Sequence, residues 1–120
     1  MSPILLNHYV GELFGLPEKC LSQKTWVRAF AVELARTTGL KIVGRRTRKF
    51  DPGVTCLLIL SQSHLAIHTW PEHRYMHIDL LACAAMVSVD HALQALISKD
   101  AYGQVQVSVK RLPYLGAGAS

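Results

Sequence analysis

Thirteen residues, Ser61-Gln62-Ser63-His64-Leu65-Ala66-Ile67-His68-Thr69-Trp70-Pro71-Glu72-His73, bring serine, histidine, carboxylate and tryptophan together, and Cys83 follows ten residues after His73. Several chemistries suit that inventory. Zinc needs three or four nitrogen, sulfur or oxygen donors converging on one point. His68, Glu72 and His73 approximate an H-x-x-E-H ligand helix, but their spacing is one residue too long and Pro71 would break the helix that aligns such ligands. His64 and His68 share one strand face but lie about 13 Å apart at about 3.3 Å per residue, too far to hold one ion. A thiol and an imidazole form the other candidate pair. Here spacing alone says little, because Cys83 reads equally well as a small apolar residue at a strand end, and each histidine as a hydrogen-bonded surface or core residue.

A scaffold must position these groups, and the hydrophobic pattern outlines one. Residues 4–14 (ILLNHYVGELF) alternate in part and predict a first strand, broken at Leu16-Pro17-Glu18. Trp26, Val27, Phe30, Ala31 and Leu34 recur at three- and four-residue spacing, which predicts a helix over 22–38 capped by Ser22 and stopped by Gly39. Strands are predicted over 40–47 and 54–60, separated by the turn Asp51-Pro52-Gly53. Over 63–69, Leu65 and Ile67 oppose His64, Ala66 and His68; over 75–83, Met76, Ile78, Leu80 and Ala82 oppose His77, Asp79, Leu81 and Cys83. A helix over 89–99, capped by Ser88 and burying Leu93, Leu96 and Ile97, precedes a last strand over 104–110 and a mobile tail, Gly116 to Ser120. The order β-α-β-β-β-β-α-β predicts an α+β fold: a two-layer sandwich with a mainly antiparallel sheet and two helices on one face. Val54 to Leu60 (VTCLLIL) is too apolar on both sides for one face to meet water, so the uncovered face predicts a homodimer.

Size and composition limit the alternatives. The chain has 120 residues, half of them hydrophobic, with no repeat or linker that would divide it, so a single domain over 1–120 is expected. Its mean hydropathy of +0.21 argues against disorder. No apolar run approaches the roughly 18–20 residues of a membrane-spanning helix, and Met1-Ser2-Pro3-Ile4 does not open a secretory signal. No membrane association is therefore expected. Cys20, Cys56 and Cys83 are an odd count without a disulfide spacing, which points to a reducing, cytoplasmic setting. The net charge is +5, densest from Lys41 to Lys49, where Arg45, Arg46, Arg48 and Lys49 read as a solvated loop or strand edge. No nucleic-acid motif accompanies them, and no nucleic-acid partner is expected.

The run Ser63-His64-Leu65-x-Ile67-His68-Thr69-Trp70-Pro71-Glu72, followed by Tyr75, Ile78-Asp79-Leu80 and Cys83, closely resembles the short bacterial and archaeal S-adenosylmethionine decarboxylases. More loosely, the resemblance extends over residues 4–112. These enzymes are pyruvoyl-dependent and made as proenzymes. The resemblance implies that the Ser63 hydroxyl attacks the carbonyl of Gln62, giving an ester, and that elimination then splits the chain into 1–62 and 63–120. A pyruvoyl group derived from Ser63 would remain, acting as electron sink when carbon dioxide leaves an α-amino acid, without metal or PLP. It further implies His68 as the base that assists processing, Thr55 as a hydroxyl stabilising the processing intermediate, and Cys83 as the acid that protonates the product carbon. Glu72 would hold the ribose hydroxyls and Phe50 would stack on adenine, with Trp70 beside them in the substrate site. One point of geometry stands apart. Ser63 and His68 are five residues apart and point to opposite faces of an extended strand, so His68 serves its own Ser63 only across a bend or bulge; otherwise the histidine comes from elsewhere, such as a dimer partner.

The chain departs from the family pattern at several positions. Gln62 replaces a glutamate, Thr55 a serine, and Arg48 a histidine two residues before Phe50; the Phe50-to-Gly53 turn is one residue short; Ala82 and Ala84 replace threonine and glycine around Cys83. Relatives recruited to decarboxylate L-ornithine or L-arginine would need no adenine platform, so a basic amino acid is the alternative substrate. A non-catalytic, unprocessed paralogue is the second alternative.

Overall fold

The computed structural model describes residues 5–86, 88–100 and 102–115. Gly116 to Ser120 lies outside them. Six strands, β1 (Asn7–Phe14), β2 (Ile42–Lys49), β3 (Val54–Leu60), β4 (Ser63–Trp70), β5 (Tyr75–Ala82) and β6 (Gln106–Leu112), form one sheet in the order β2-β3-β4-β5-β1-β6. All five neighbouring pairs are antiparallel. Three helices, α1 (Glu18–Leu21), α2 (Lys24–Thr37) and α3 (Val89–Asp100), complete the fold. The expected α+β sandwich is the observed one.

Alternation decides what the sheet shows to each side. Leu58, Leu65, Ile67, Met76, Ile78 and Leu80 are fully buried against Val27, Ala31 and Leu34 of α2 and Leu93 of α3. Truncating one of these leucines to alanine removes about 2–5 kcal/mol, the usual loss for a filled core position. The intervening residues face away from the helices, and there Leu57 and Ile59 remain 46% and 59% exposed. Across this open face the register ranks Arg48, Thr55, His68, His77 and Glu12 side by side on β2, β3, β4, β5 and β1.

Local signals explain most element ends. α2 stops where Gly39 adopts φ +84°, a conformation glycine takes without strain, while the Leu40 amide returns to the Ala35 carbonyl at 2.9 Å. The Ser88 hydroxyl accepts from the His91 amide at 3.3 Å, capping α3 as expected. Ser22 does not cap α2. It closes the short α1, its hydroxyl turned back to the Lys19 carbonyl at 3.1 Å, and α2 starts after an extended Gln23 with no side-chain cap. The basic strand β2 runs two residues further than predicted, to Lys49, because Arg48 and Lys49 continue the pairing with Thr55 and Val54. It is an edge strand, the second of the two settings its charges suggested. Its exposed Arg45, Arg46, Arg48 and Lys49 line that edge.

Candidate active site

The predicted site residues fall into two groups at opposite ends of β4. At the first end, β3 and β4 are joined by a two-residue turn, Ser61-Gln62, with Leu60 paired to Ser63. The Gln62 carbonyl points across the sheet and accepts from the Cys83 amide at 3.3 Å. An N–H donor on that oxygen draws electrons from the carbonyl carbon and favours attack on it. Cys83, just beyond the end of β5, is exposed. The segment after it is tethered from β1: fully buried Asn7 donates from Nδ2 to the Ala84 carbonyl at 2.9 Å and accepts from Arg111 at 3.1 Å. Sequence reasoning misses Asn7. Its one signal is a polar side chain within a run of apolar strand residues, where burial requires a partner.

At the second end, Thr55 Oγ1 and His68 Nδ1 share a hydrogen bond of 2.9 Å. Such a bond fixes the imidazole plane and leaves Nε2 for proton transfer. Burial pushes the His68 pKa below its ordinary 6.5, and neighbouring His77, with ring centroids 6.4 Å apart, pushes the same way; Asp79 opposes both. A neutral imidazole, able to accept a proton, is the favoured form. His77 stands directly opposite His68 in the register, a neighbour visible only once the strands are paired.

Backbone packing then builds a cavity beside this pair. Thr69 ties three segments together: its hydroxyl donates to the Leu21 carbonyl at 2.7 Å and accepts from the Val54 amide at 2.9 Å. Gly53 lies so close to β4 that a Cβ there would meet the Thr69 carbonyl oxygen at 2.6 Å. Only glycine lets the chain enter β3 at that distance, and the Phe50 amide closes the turn on the Gly53 carbonyl at 2.7 Å. After β4, Pro71–His73 makes a single 3-10 turn pinned by Arg74, whose guanidinium reaches the Leu16 and Gly15 carbonyls at 3.2 and 2.8 Å. The result is a hollow of about 260 Å³ lined by Phe50, Thr55, His68, Trp70 and Glu72 together with backbone of the turn. Phe50 and Trp70 are 60% and 43% exposed, so that each ring, although Trp70 leans on Tyr75 with centroids 5.4 Å apart, keeps open surface for a flat group.

The structure therefore groups Phe50, Thr55, His68, Trp70 and Glu72. It groups Gln62, Ser63 and Cys83 elsewhere. No bulge interrupts β4, so five residues of strand put Ser63 about 16 Å from His68 and, by alternation, on the other face. The bend that would join them within one chain is absent among the described residues.

Comparison with known proteins supplies the family. The model of the S-adenosylmethionine decarboxylase family matches residues 7–112. An S-adenosylmethionine decarboxylase proenzyme of Archaeoglobus fulgidus is 31% identical over 97 residues, spanning 80% of this chain and 87% of that one. A proenzyme of the same name from Acidithiobacillus ferrooxidans is 35% identical over 107 residues, or 88% and 79% of the two chains. The crystal structure of the adenosylmethionine decarboxylase from Aquifex aeolicus superposes with a TM-score of 0.75 over 99% of both chains at 21% identity, a likeness of fold. With 106 consecutive positions matched and the Ser63–Glu72 run intact, the chain belongs to the S-adenosylmethionine decarboxylase family.

Proposed function

We propose that the protein is a self-processing, pyruvoyl-dependent S-adenosylmethionine decarboxylase of polyamine synthesis, which cleaves its own Gln62–Ser63 bond. The observation that carries this reading is the amide of Cys83 on the Gln62 carbonyl, because that carbonyl is the one Ser63 must attack. The Ser63 Oγ–H adds to the Gln62 carbonyl carbon, the C–N bond breaks, and an ester with a free amine results. A base removes the Ser63 Cα proton, the Gln62 carboxylate leaves, and hydrolysis of the remaining enamine takes one water and releases ammonia. Chains 1–62 and 63–120 remain, the second beginning with a ketone. A neutral His68 held by Thr55 suits the base, and Gln62 in place of glutamate is tolerated because its backbone is what reacts.

Once formed, that ketone supplies the electron sink that loss of carbon dioxide from an α-amino acid requires. The chain's own residues do the rest. Phe50 and Trp70 flank a purine in the hollow, Glu72 accepts from ribose hydroxyls, and the exposed Cys83 thiol returns a proton to the product carbon. A reducing, cytoplasmic compartment keeps that thiol available.

The two groups are too far apart to act together in one chain, and the open face is apolar at Leu57 and Ile59. Both features favour a homodimer that pairs the open faces around a two-fold axis, one copy's His68 reaching round the end of its partner's sheet to Ser63, the first residue of β4. Denaturing electrophoresis with mass spectrometry tests the processing: two fragments split after Gln62, the second lacking a free amine, are expected. Purified protein should release carbon dioxide from S-adenosylmethionine. Release from ornithine, arginine or lysine alone would replace the substrate assignment, and a chain that stays whole would end the enzymatic reading.

A further inference from the structure

We infer that Arg48 is a specificity-determining residue, which readies the Phe50 ring for a neutral heterocycle and turns it against a substrate whose side chain ends in a cation. The inference rests on the reading that the hollow beside His68 takes a nucleoside. Arg48 lies on β2 opposite Thr55 and shares the open face with Phe50 two residues later. Its guanidinium carbon stands 5.2 Å from the Phe50 ring centroid, within cation–π range. Among the described residues it forms no ion pair, and the Phe50 ring is the group its exposed guanidinium rests on. One face of Phe50 thus carries a cation, while the ring remains 60% exposed and lines the hollow.

A ring in that state discriminates. The guanidinium draws π-density towards itself, which makes the free face a better stacking partner for an electron-rich purine. A second cation on that free face would compete for the same density and face the first charge at close range, with only the thickness of the ring and no water between them. An ornithine ammonium or an arginine guanidinium placed on the ring would meet this penalty, whereas adenine carries no charge and the ribose separates it from the sulfonium of S-adenosylmethionine. The residue that departs from the family pattern at this position therefore narrows the choice of substrate towards the nucleoside.

Calorimetric titration of the purified, full-length protein tests this without turnover, using two ligands that lack a free α-amine: 5′-methylthioadenosine and Nα-acetylarginine. In Arg48→Gln the nucleoside should bind about threefold more weakly and the cationic ligand about threefold more tightly, so that their affinity ratio falls about tenfold. Arg48→Lys keeps the charge but loses the planar stack, and should keep the discrimination against acetylarginine while losing part of the nucleoside affinity. An unchanged ratio in Arg48→Gln, or equal weakening of both ligands, would overturn the role while the nucleoside reading stood. A wild-type protein that bound acetylarginine and no nucleoside would overturn both.

Discussion

The two ends of β4 hold their reactive groups by different means. At the Ser63 end, backbone atoms do the holding: the Gln62 carbonyl meets the Cys83 amide, and the Ala84 carbonyl is fixed by Asn7. At the His68 end, side chains do it: Thr55 to His68, Thr69 to Leu21, and two rings bordering a hollow. The contrast bears on how this chain departs from its family. Gln62, Ala82 and Ala84 all replace other residues at the end where the peptide groups make the contacts, and any side chain of suitable size supplies the same amide and carbonyl. At the other end Thr55 keeps the hydroxyl that contacts His68, while Arg48 and the shortened turn change only what surrounds Phe50. Where peptide groups make the contact any side chain serves, and where a side chain makes it the replacement must keep the contacting atom.

The strongest way to break the comparison is to separate the ends genetically. Ser63→Ala should give one uncut chain without activity, and His68→Ala should lose processing, since removing the base costs at least about a hundredfold. Co-expressed, the two variants should regain about a quarter of wild-type activity, because half of randomly paired dimers are mixed and each mixed dimer has one intact site. No recovery in confirmed mixed dimers would put both ends to work within a single chain. Next in size is Cys83→Ala. It removes a thiol but keeps the amide on the Gln62 carbonyl, so turnover should fall about a hundredfold or more while cleavage slows less than tenfold. Equal losses would contradict the division between amide and thiol.

Much of this arrangement is legible in the amino-acid sequence. Alternation separates Leu65 and Ile67 from His64 and His68, and the run from Ser63 to Glu72 marks the family. Other features depend on partners far along the chain. Asn7 meets Ala84 and Thr69 meets Leu21, contacts spanning 77 and 48 residues, which no local pattern encodes. Ser22 misleads for a related reason: its hydroxyl has two helices to serve, and α1 is too short to announce itself by periodicity. The five-residue spacing of Ser63 and His68 does indicate opposite faces. Whether β4 bends is a question of pairing with β3 and β5, and the unbroken register answers it.

The His68 end can be sharpened by pH. Because burial and then His77 hold the His68 pKa below 6.5, at least half of its imidazole is neutral at pH 6.5. Cleavage of refolded precursor should therefore rise less than about twofold between pH 6.5 and 8, and fall up to about tenfold per unit below the folded midpoint. Stability moves in the same sense. The unfolded chain binds the proton first, so this group's contribution is lost as pH falls from 6.5 through the lower folded value. His77→Gln should move the midpoint up, though not to 6.5, since burial is the larger cause. A midpoint at or above 6.5 in the wild type would mean that His68 is not the base that limits cleavage.

The smallest effect belongs to the aromatic platform. Phe50→Ala removes a ring that is 60% exposed and touches neither Ser63 nor His68 by hydrogen bond, so processing should be unchanged. Loss of stacking is worth about 0.5–1.5 kcal/mol, and the KM for S-adenosylmethionine should rise by up to about tenfold with kcat nearly constant. The direction for basic amino acids is the informative part. Removing the ring also frees Arg48 from its cation–π contact, leaving an unshielded guanidinium on the side of the hollow that Phe50 had closed. Inhibition by ornithine should therefore not improve in Phe50→Ala, whereas it should improve in Arg48→Gln. If both variants admitted ornithine equally, ring size alone would set the preference, and the charge on β2 would play no part in it.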